Sequence, residues 1–316
     1  MKKVLIFLTT LLLNICVWGT EFNVRIGWQI PWATQGQLVQ ILKHTDILDN
    51  NSIKAEFVGR TYGPELNELA LSDKIDVVLT GDQPGVALLA KDKGWVIIGR
   101  LMYNRTSIYV PLNSKINSVN DLKGKTIGLP IGAAAERTTK DALKKAGIDY
   151  TKDVKIQNLG IQEHTPLIKK YLKREKWGKI DALAGFDPTP AVLETSNYVK
   201  TIDVGTVVSL IIMKKENLDL NPGLKDAILN SFVDAYDYYR QNVTQANTWF
   251  VEESKFNDPG FKACNLASSI EPNLLVKSKD EIRVSFTTDD IERLQDVVSF
   301  MEPTTKKDFP IELYMY

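Results

Sequence analysis

Four short segments of this 316-residue chain carry groups suited to holding a small molecule. The most informative is 118–148, SVNDLKGKTIGLPIGAAAERTTKDALKKAGI, which reads as a strand (125–129), a turn (130–134) and a helix (136–146). Pro130, Ile131 and Gly132 turn the backbone sharply, and the small Ala133 and Ala134 leave amide N–H groups uncovered at the helix start. Such donors, aided by the helix dipole, cradle an anion or a polar head; the same residues also suit an ordinary strand-to-helix joint. The second segment is Trp28-Gln29-Ile30-Pro31-Trp32, whose indoles either stack on a planar or quaternary-amine ligand or cover a sheet edge. The third, Thr80-Gly81-Asp82-Gln83-Pro84, puts a polar trio at the end of an apolar run, with Asp82 either facing a ligand or capping a helix. The fourth is Gly185-Phe186-Asp187-Pro188-Thr189-Pro190, where Asp187-Pro188 is also a common turn opener. All of this is binding chemistry. His44 and His164, the two histidines, have no ligand-spaced neighbours, so neither a zinc site nor a Ser-His-Asp triad is indicated, and no metal or cofactor is expected.

The elements that must position these segments alternate. Strand patterns fall at 22–28, 53–58, 75–80 and 95–98, with helical spacing at 35–48, 64–72 and from 85 onward. The run at 75–80 is continuously apolar, as in a buried parallel sheet. A second set of strands is expected at 125–129, 155–159, 180–184 and 198–204, with residues 108–111 crossing into it and 207–213 returning. Helical stripes at Leu224, Ile228, Phe232, Ala235, Tyr236 and Tyr239, and at Ile291, Leu294, Val298 and Met301, follow; Thr288 or Asp289 can cap the latter. Alternating strands and helices argue for an α/β fold with ligands at the strand carboxyl ends.

Composition sets further bounds. The length suits two domains, and 44% hydrophobic with 25% charged residues is ordinary for a globular protein. Lys+Arg and Asp+Glu are equal at 39 each, so nothing favours nucleic acid. The basic run KKYLKREKWGK, 169–179, reads as a solvated helix face or a docking surface. The first 19 residues have a basic start, an apolar stretch and small Val17 and Gly19, so they are expected to be a cleaved export signal; a retained anchor is the alternative. Cleavage would remove Cys16 and leave Cys264 alone, a small hydrophobe in a chain that must rely on its core.

The strings RIGWQIPWATQG, IDVVLTGDQPGVALLAKDKGWVIIGR, DLKGKTIGLPIG and KIDALAGFDPTP resemble the solute-binding proteins of ABC transporters of the nitrate, taurine and aliphatic-sulfonate type, a family that also holds thiamine-pyrimidine precursor binders. The resemblance covers most of the mature chain. It implies a two-lobed periplasmic binding protein fold of type II with the ligand cleft between lobes. Lobe one would be 20–106 plus 208–316, and lobe two 107–207. The four segments would face the cleft, giving Trp28, Gln29, Trp32, Gly81, Asp82, Gln83, Ile131, Gly132, Ala133, Phe186 and Asp187 as ligand-binding residues. Tyr62 is added from the end of the second strand. Tyr103, with Asn104 and Arg105, would be a hinge or cleft residue.

The implied function is a non-enzymatic, monomeric, periplasmic receptor that takes up a small-molecule ligand and presents it to an ABC transporter permease. Asp82, Glu136 and Asp187 near the mouths tilt the expectation toward a pyrimidine or amine-bearing nutrient over a sulfonate or nitrate, unless those carboxylates cap helices or pair with Arg105 or Arg137. An enzyme of the same fold, acting in thiamine-pyrimidine or menaquinone precursor synthesis, and a tethered sensory domain are the alternatives.

Overall fold

The computed structural model describes residues 21–254, 260–301, 311 and 315–316; the expected export signal and Cys16 lie outside them. Alternation begins with β1 (Phe22–Gln29), α1 (Gln35–His44), α2 (Ile47–Asn50), β2 (Ile53–Arg60), α3 (Gly63–Leu71), β3 (Val77–Gly81) and α4 (Asp82–Lys91). A long strand, β4 (Trp95–Pro111), leads to β5 (Thr126–Leu129), α5 (Ala134–Lys145), β6 (Lys155–Asn158), α6 (Ile161–Lys170), β7 (Ala182–Phe186) and α7 (Thr189–Thr195). A second long strand, β8 (Val199–Lys214), returns to α8 (Lys215–Leu220), α9 (Leu224–Gln241), α10 (Val243–Ser254), α11 (Gly260–Ser268) and α12 (Thr288–Met301).

The eight strands form one sheet in the order β2-β1-β3-β8-β4-β7-β5-β6. Strands β2, β1 and β3 are mutually parallel, as are β7, β5 and β6, and the antiparallel ribbon β8-β4 joins the two sets. Because β3 and β7 pair antiparallel with opposite members of that ribbon, the two parallel sets run in opposite directions, and their carboxyl ends point at each other. Gly81, the last residue of β3, pairs with Ser209, whereas Phe186, the last of β7, sits beside Thr106, itself opposite Gly205. The two ends therefore lie four residues apart along β8, roughly 13 Å at the usual strand rise.

The ribbon departs from the sequence reading. Residues 95–98 and 108–111 belong to one strand, and the expected 198–204 and 207–213 to another that starts at Val199, with register shifts at Ile97/Gly99, Arg100/Met102 and Ile108/Tyr109. Arg100, Tyr103, Asn104 and Arg105 interrupt the apolar pattern, so the run looks like two pieces. Arg100 and Arg105 are nevertheless buried, since each has a carboxylate partner: Glu271 at 2.9 Å and Asp187 at 2.6 Å. Two helices also differ from expectation. The stretch 35–48 breaks at Thr45, whose backbone is extended, and α4 starts at Asp82 with Pro84 tolerated in its first turn. The basic run is not a helix face, because α6 ends at Lys170 and turns follow.

The largest apolar cluster packs α1 and α9 on one face of the first half of the sheet, with Leu38, Ile41, Ile228 and Phe232 against Val24, Ile26 and Leu79. Cys264 is buried with Ala33, Ala191, Phe250, Ala263 and Ala267, and burial pushes its thiol up to about 12. The α12 cap is Thr287 rather than Thr288 or Asp289: its N–H donates to Asp290 and the Asp290 N–H donates back to its hydroxyl.

Candidate functional site

Where the strand ends face each other, the chain encloses a cavity of about 20 Å³. Gln29 reaches it from the end of β1 and Trp32 from the turn that follows, Tyr62 and Gly63 from the start of α3, and Gly81 and Pro84 from the β3–α4 junction. The second half contributes Ala133 and Ala134 from the start of α5 and Phe186 from the end of β7, with Val207 of β8 between. Each segment arrives as a strand ends, so the sheet fixes all of them at once.

The lining is apolar apart from a few neutral groups. Trp32 is 2% exposed, meets Phe186 edge-on at 6.0 Å between ring centroids, and its indole Nε1 has no hydrogen-bond partner. An unpartnered buried donor costs free energy unless something accepts from it. Beside it, the first turn of α5 leaves the N–H groups of residues 134 and 135 without a protein acceptor among the described residues. The N-termini of α4 and α5 abut here: a Cβ built on Gly81 would lie 3.1 Å from the Trp32 ring, 3.4 Å from Val207 and 3.7 Å from Ala134 Cβ. Glycine at 81 is what lets the two helix starts and the indole close on one point. Gly132, with φ +84°, makes the turn before α5, and its N–H donates to Glu136 at 2.8 Å.

The sequence matches a known family over more than half of its length. The sequence profile of the NMT1/THI5-like family covers residues 53–246. The chain belongs to that family. A protein of Escherichia coli (strain K12) named for binding aliphatic sulfonates is 25% identical over 221 residues, 67% of this chain and 65% of that protein, so the match spans just under two thirds of the relative. The periplasmic aliphatic sulphonate binding protein SsuA of E. coli superposes with a TM-score of 0.76 at 18% identity, covering 93% of this chain and 92% of that one. The alkanesulfonate-binding SsuA of Xanthomonas axonopodis pv. citri, solved bound to MOPS, gives 0.75 at 17% identity over 94% and 99%. The fold of this NMT1/THI5-like chain is thus that of the periplasmic binding proteins.

Of the residues singled out by sequence in this NMT1/THI5-like chain, the cavity gathers Gln29, Trp32, Tyr62, Gly81, Ala133 and Phe186. Pro84 and Ala134 lie in the expected segments without having been singled out as ligand-binding, whereas Gly63, next to Tyr62, and Val207 were not foreseen. Trp28 lies elsewhere, buried in the core with Lys43 of α1 5.7 Å from its ring, because successive strand residues face opposite ways. Tyr103 belongs to a polar network on β4: its hydroxyl donates to Asp290 at 2.5 Å, its N–H to Glu271, and Arg100 lies 4.4 Å from its ring. Ile131 is 51% exposed at the outer side of its turn, and Gln83 is buried behind Asp82.

The carboxylates are spoken for. Asp82 accepts from Arg137 at 2.6 Å and from the Val208 N–H at 3.3 Å; burial pushes its carboxyl above the usual range, and Arg137 opposes this. Asp187 accepts from Arg105 at 2.6 Å and from the Ala191 N–H, with burial again the largest influence, upward. Glu136 bonds Gly132, Lys140 and Tyr150. The expectation of an amine-seeking acidic mouth therefore fails: it needed carboxylates free to meet a ligand, and each is turned to a partner within the protein. Among the described residues no His, Cys, Asp and Glu group is placed to hold a metal ion.

Proposed function

We propose that the protein is an extracytoplasmic solute-binding receptor for an ABC-type importer, acting as a monomer without catalysis and taking a small organic anion of the sulfonate class between two lobes. The lobes are read as 20–106 plus 208–316 and 107–207. The observation that carries the reading is the start of α5, with the N–H groups of residues 134 and 135 uncommitted, beside the unpartnered Trp32 indole: neutral donors with no free carboxylate to repel an anion. The sulfonate-binding relatives supply the ligand class. Non-enzymatic action is the reading that suits a lining without Ser, Cys, His, Asp, Glu or Lys, in which Tyr62 is the one ionisable side chain. Export, a permease partner and periplasmic location rest on the same relatives.

Thermal shift followed by calorimetry on the purified protein tests this with taurine, short alkanesulfonates, MOPS, nitrate and amino-pyrimidines. A sulfonate should raise the melting temperature, adding about 2.7 kcal/mol of stability at a hundredfold excess over its Kd. A response to pyrimidines or amines alone would overturn the ligand class, and no response to any of the panel would overturn the reading as a whole.

A further inference from the structure

The basic run 169–179 lines a second cavity, which shares no residue with the first and lies between the end of α6, the end of β4 and the start of β8. Its volume is about 280 Å³, close to what one large side chain and its neighbours would fill and below most small-ligand pockets. Ile168 and Trp177 form a buried floor, Tyr171 and Tyr198 are half-buried walls, and Leu112 and Leu172 stand on the rim 48% and 44% exposed. Lys173 and Arg174 share that rim, are exposed, and enter no ion pair among the described residues. Lys169, Lys170, Lys176 and Lys179 extend the positive surface, and the single acid of the run, Glu175, faces Lys115 at 4.0 Å. The loop is held in shape. Lys173 has φ +65°, uncommon for a side-chain-bearing residue, and its carbonyl accepts from Asn113 on the opposite wall at 3.1 Å.

We propose that this cavity is a docking site for an acidic segment of a partner protein that inserts one large apolar side chain. An aromatic-floored pocket ringed by exposed apolar groups is the usual seat of an interface anchor. The surrounding cations select the sign of the flanking residues and speed the encounter. A protein segment fits better than a lipid surface, because a bilayer takes up apolar groups that protrude, whereas here the apolar surface recedes and only the cations would reach it. None of the residues involved lines the first cavity, so this inference stands apart from the proposed ligand.

A random peptide library displayed on phage, panned on the wild-type protein and on the Lys173→Glu/Arg174→Glu double variant, tests it. Both substitutions are on exposed side chains, and an unchanged melting temperature verifies the fold. The expected result is an enriched consensus of Phe, Trp or Leu flanked by Asp and Glu. A labelled peptide of that sequence should lose at least about tenfold in affinity on the double variant and on Leu172→Asp, and should weaken with salt. No enrichment over an unrelated protein, a consensus without acids, or equal capture by the variant would overturn the proposal. So would binding to phosphatidylglycerol vesicles in place of any peptide, which would make the patch a membrane contact.

Discussion

Arg137 sets the charge of the candidate site. It reaches across from α5 to Asp82 at the start of α4, in a pair with side chains 10% and 2% exposed. Replacing Arg137 with Met would leave a carboxylate buried without its partner, which costs about 3–5 kcal/mol. Adding Asp82→Asn should recover most of that loss, since the remaining groups are neutral. Urea melts of both single variants and the double measure the coupling; additive losses would show that the contact contributes little. Trp32→Phe is the complementary test at the cavity. It keeps a ring against Phe186 and removes the unpartnered N–H, so affinity for the proposed sulfonate ligand should fall about tenfold, the worth of one hydrogen bond. An unchanged Kd by calorimetry would reduce Trp32 to packing. The sequence displays Asp82, Arg105, Arg137 and Asp187 openly, but their pairings span 55 and 82 residues. No local period reports a contact that long, which is why an acidic mouth was expected where the structure has neutralised pairs.

At the scale of elements, the sequence is legible where one apolar period persists. Strand β3 and helix α9 stand where their runs put them, and the turns after β1, β3, β5 and β7 meet as their positions at strand ends require. It is least legible in β4, where buried ion pairs break the apolar pattern without breaking the strand, and in β8, where Asp203, Gly205 and Thr206 interrupt it. Strand alternation also separates Trp28 from Gln29, a distinction that needs the facing of β1 and not merely its existence. Helix α6 gives a test at this scale. His164, on its buried face, has Nδ1 2.5 Å from the Tyr109 hydroxyl of β4, and burial pushes the imidazole down to about 4, the Leu159 backbone offsetting part of the shift. Between an ordinary value of 6.5 and about 4, the unfolded chain binds a proton that the native protein refuses. This contribution is therefore complete above pH 6.5 and is lost as pH falls through that window, by up to about 3 kcal/mol. His164→Gln cannot titrate, so its stability should fall less steeply over the same range in denaturant melts. Parallel pH profiles for the two proteins would remove His164 as the cause.

At the scale of the whole molecule, the two parallel strand sets aim their carboxyl ends at one another across a single antiparallel ribbon, and the cavity lies in the gap. That gap is closed in this structure. A Cβ on Gly132 would sit 4.0 Å from Pro64 of α3, and the Asp82–Arg137 pair ties the two helix starts together. About 20 Å³ is room for little more than one water, far less than an organic sulfonate requires. For the proposed sulfonate to enter here the halves would have to separate, and the β4–β8 ribbon is the continuous element about which they could turn. Small-angle X-ray scattering reads this directly. A closed chain of this length has a radius of gyration of about 20 Å from compact-domain scaling. The ligand-free protein should scatter as a larger particle and contract when a sulfonate is added to saturation. The Asp82→Asn/Arg137→Met double variant, lacking the pair that joins the halves, should be the more expanded of the two free proteins and contract further on binding. A radius that is the same with and without saturating ligand would sink the hinge, and would require the cavity to enlarge by local side-chain movement alone.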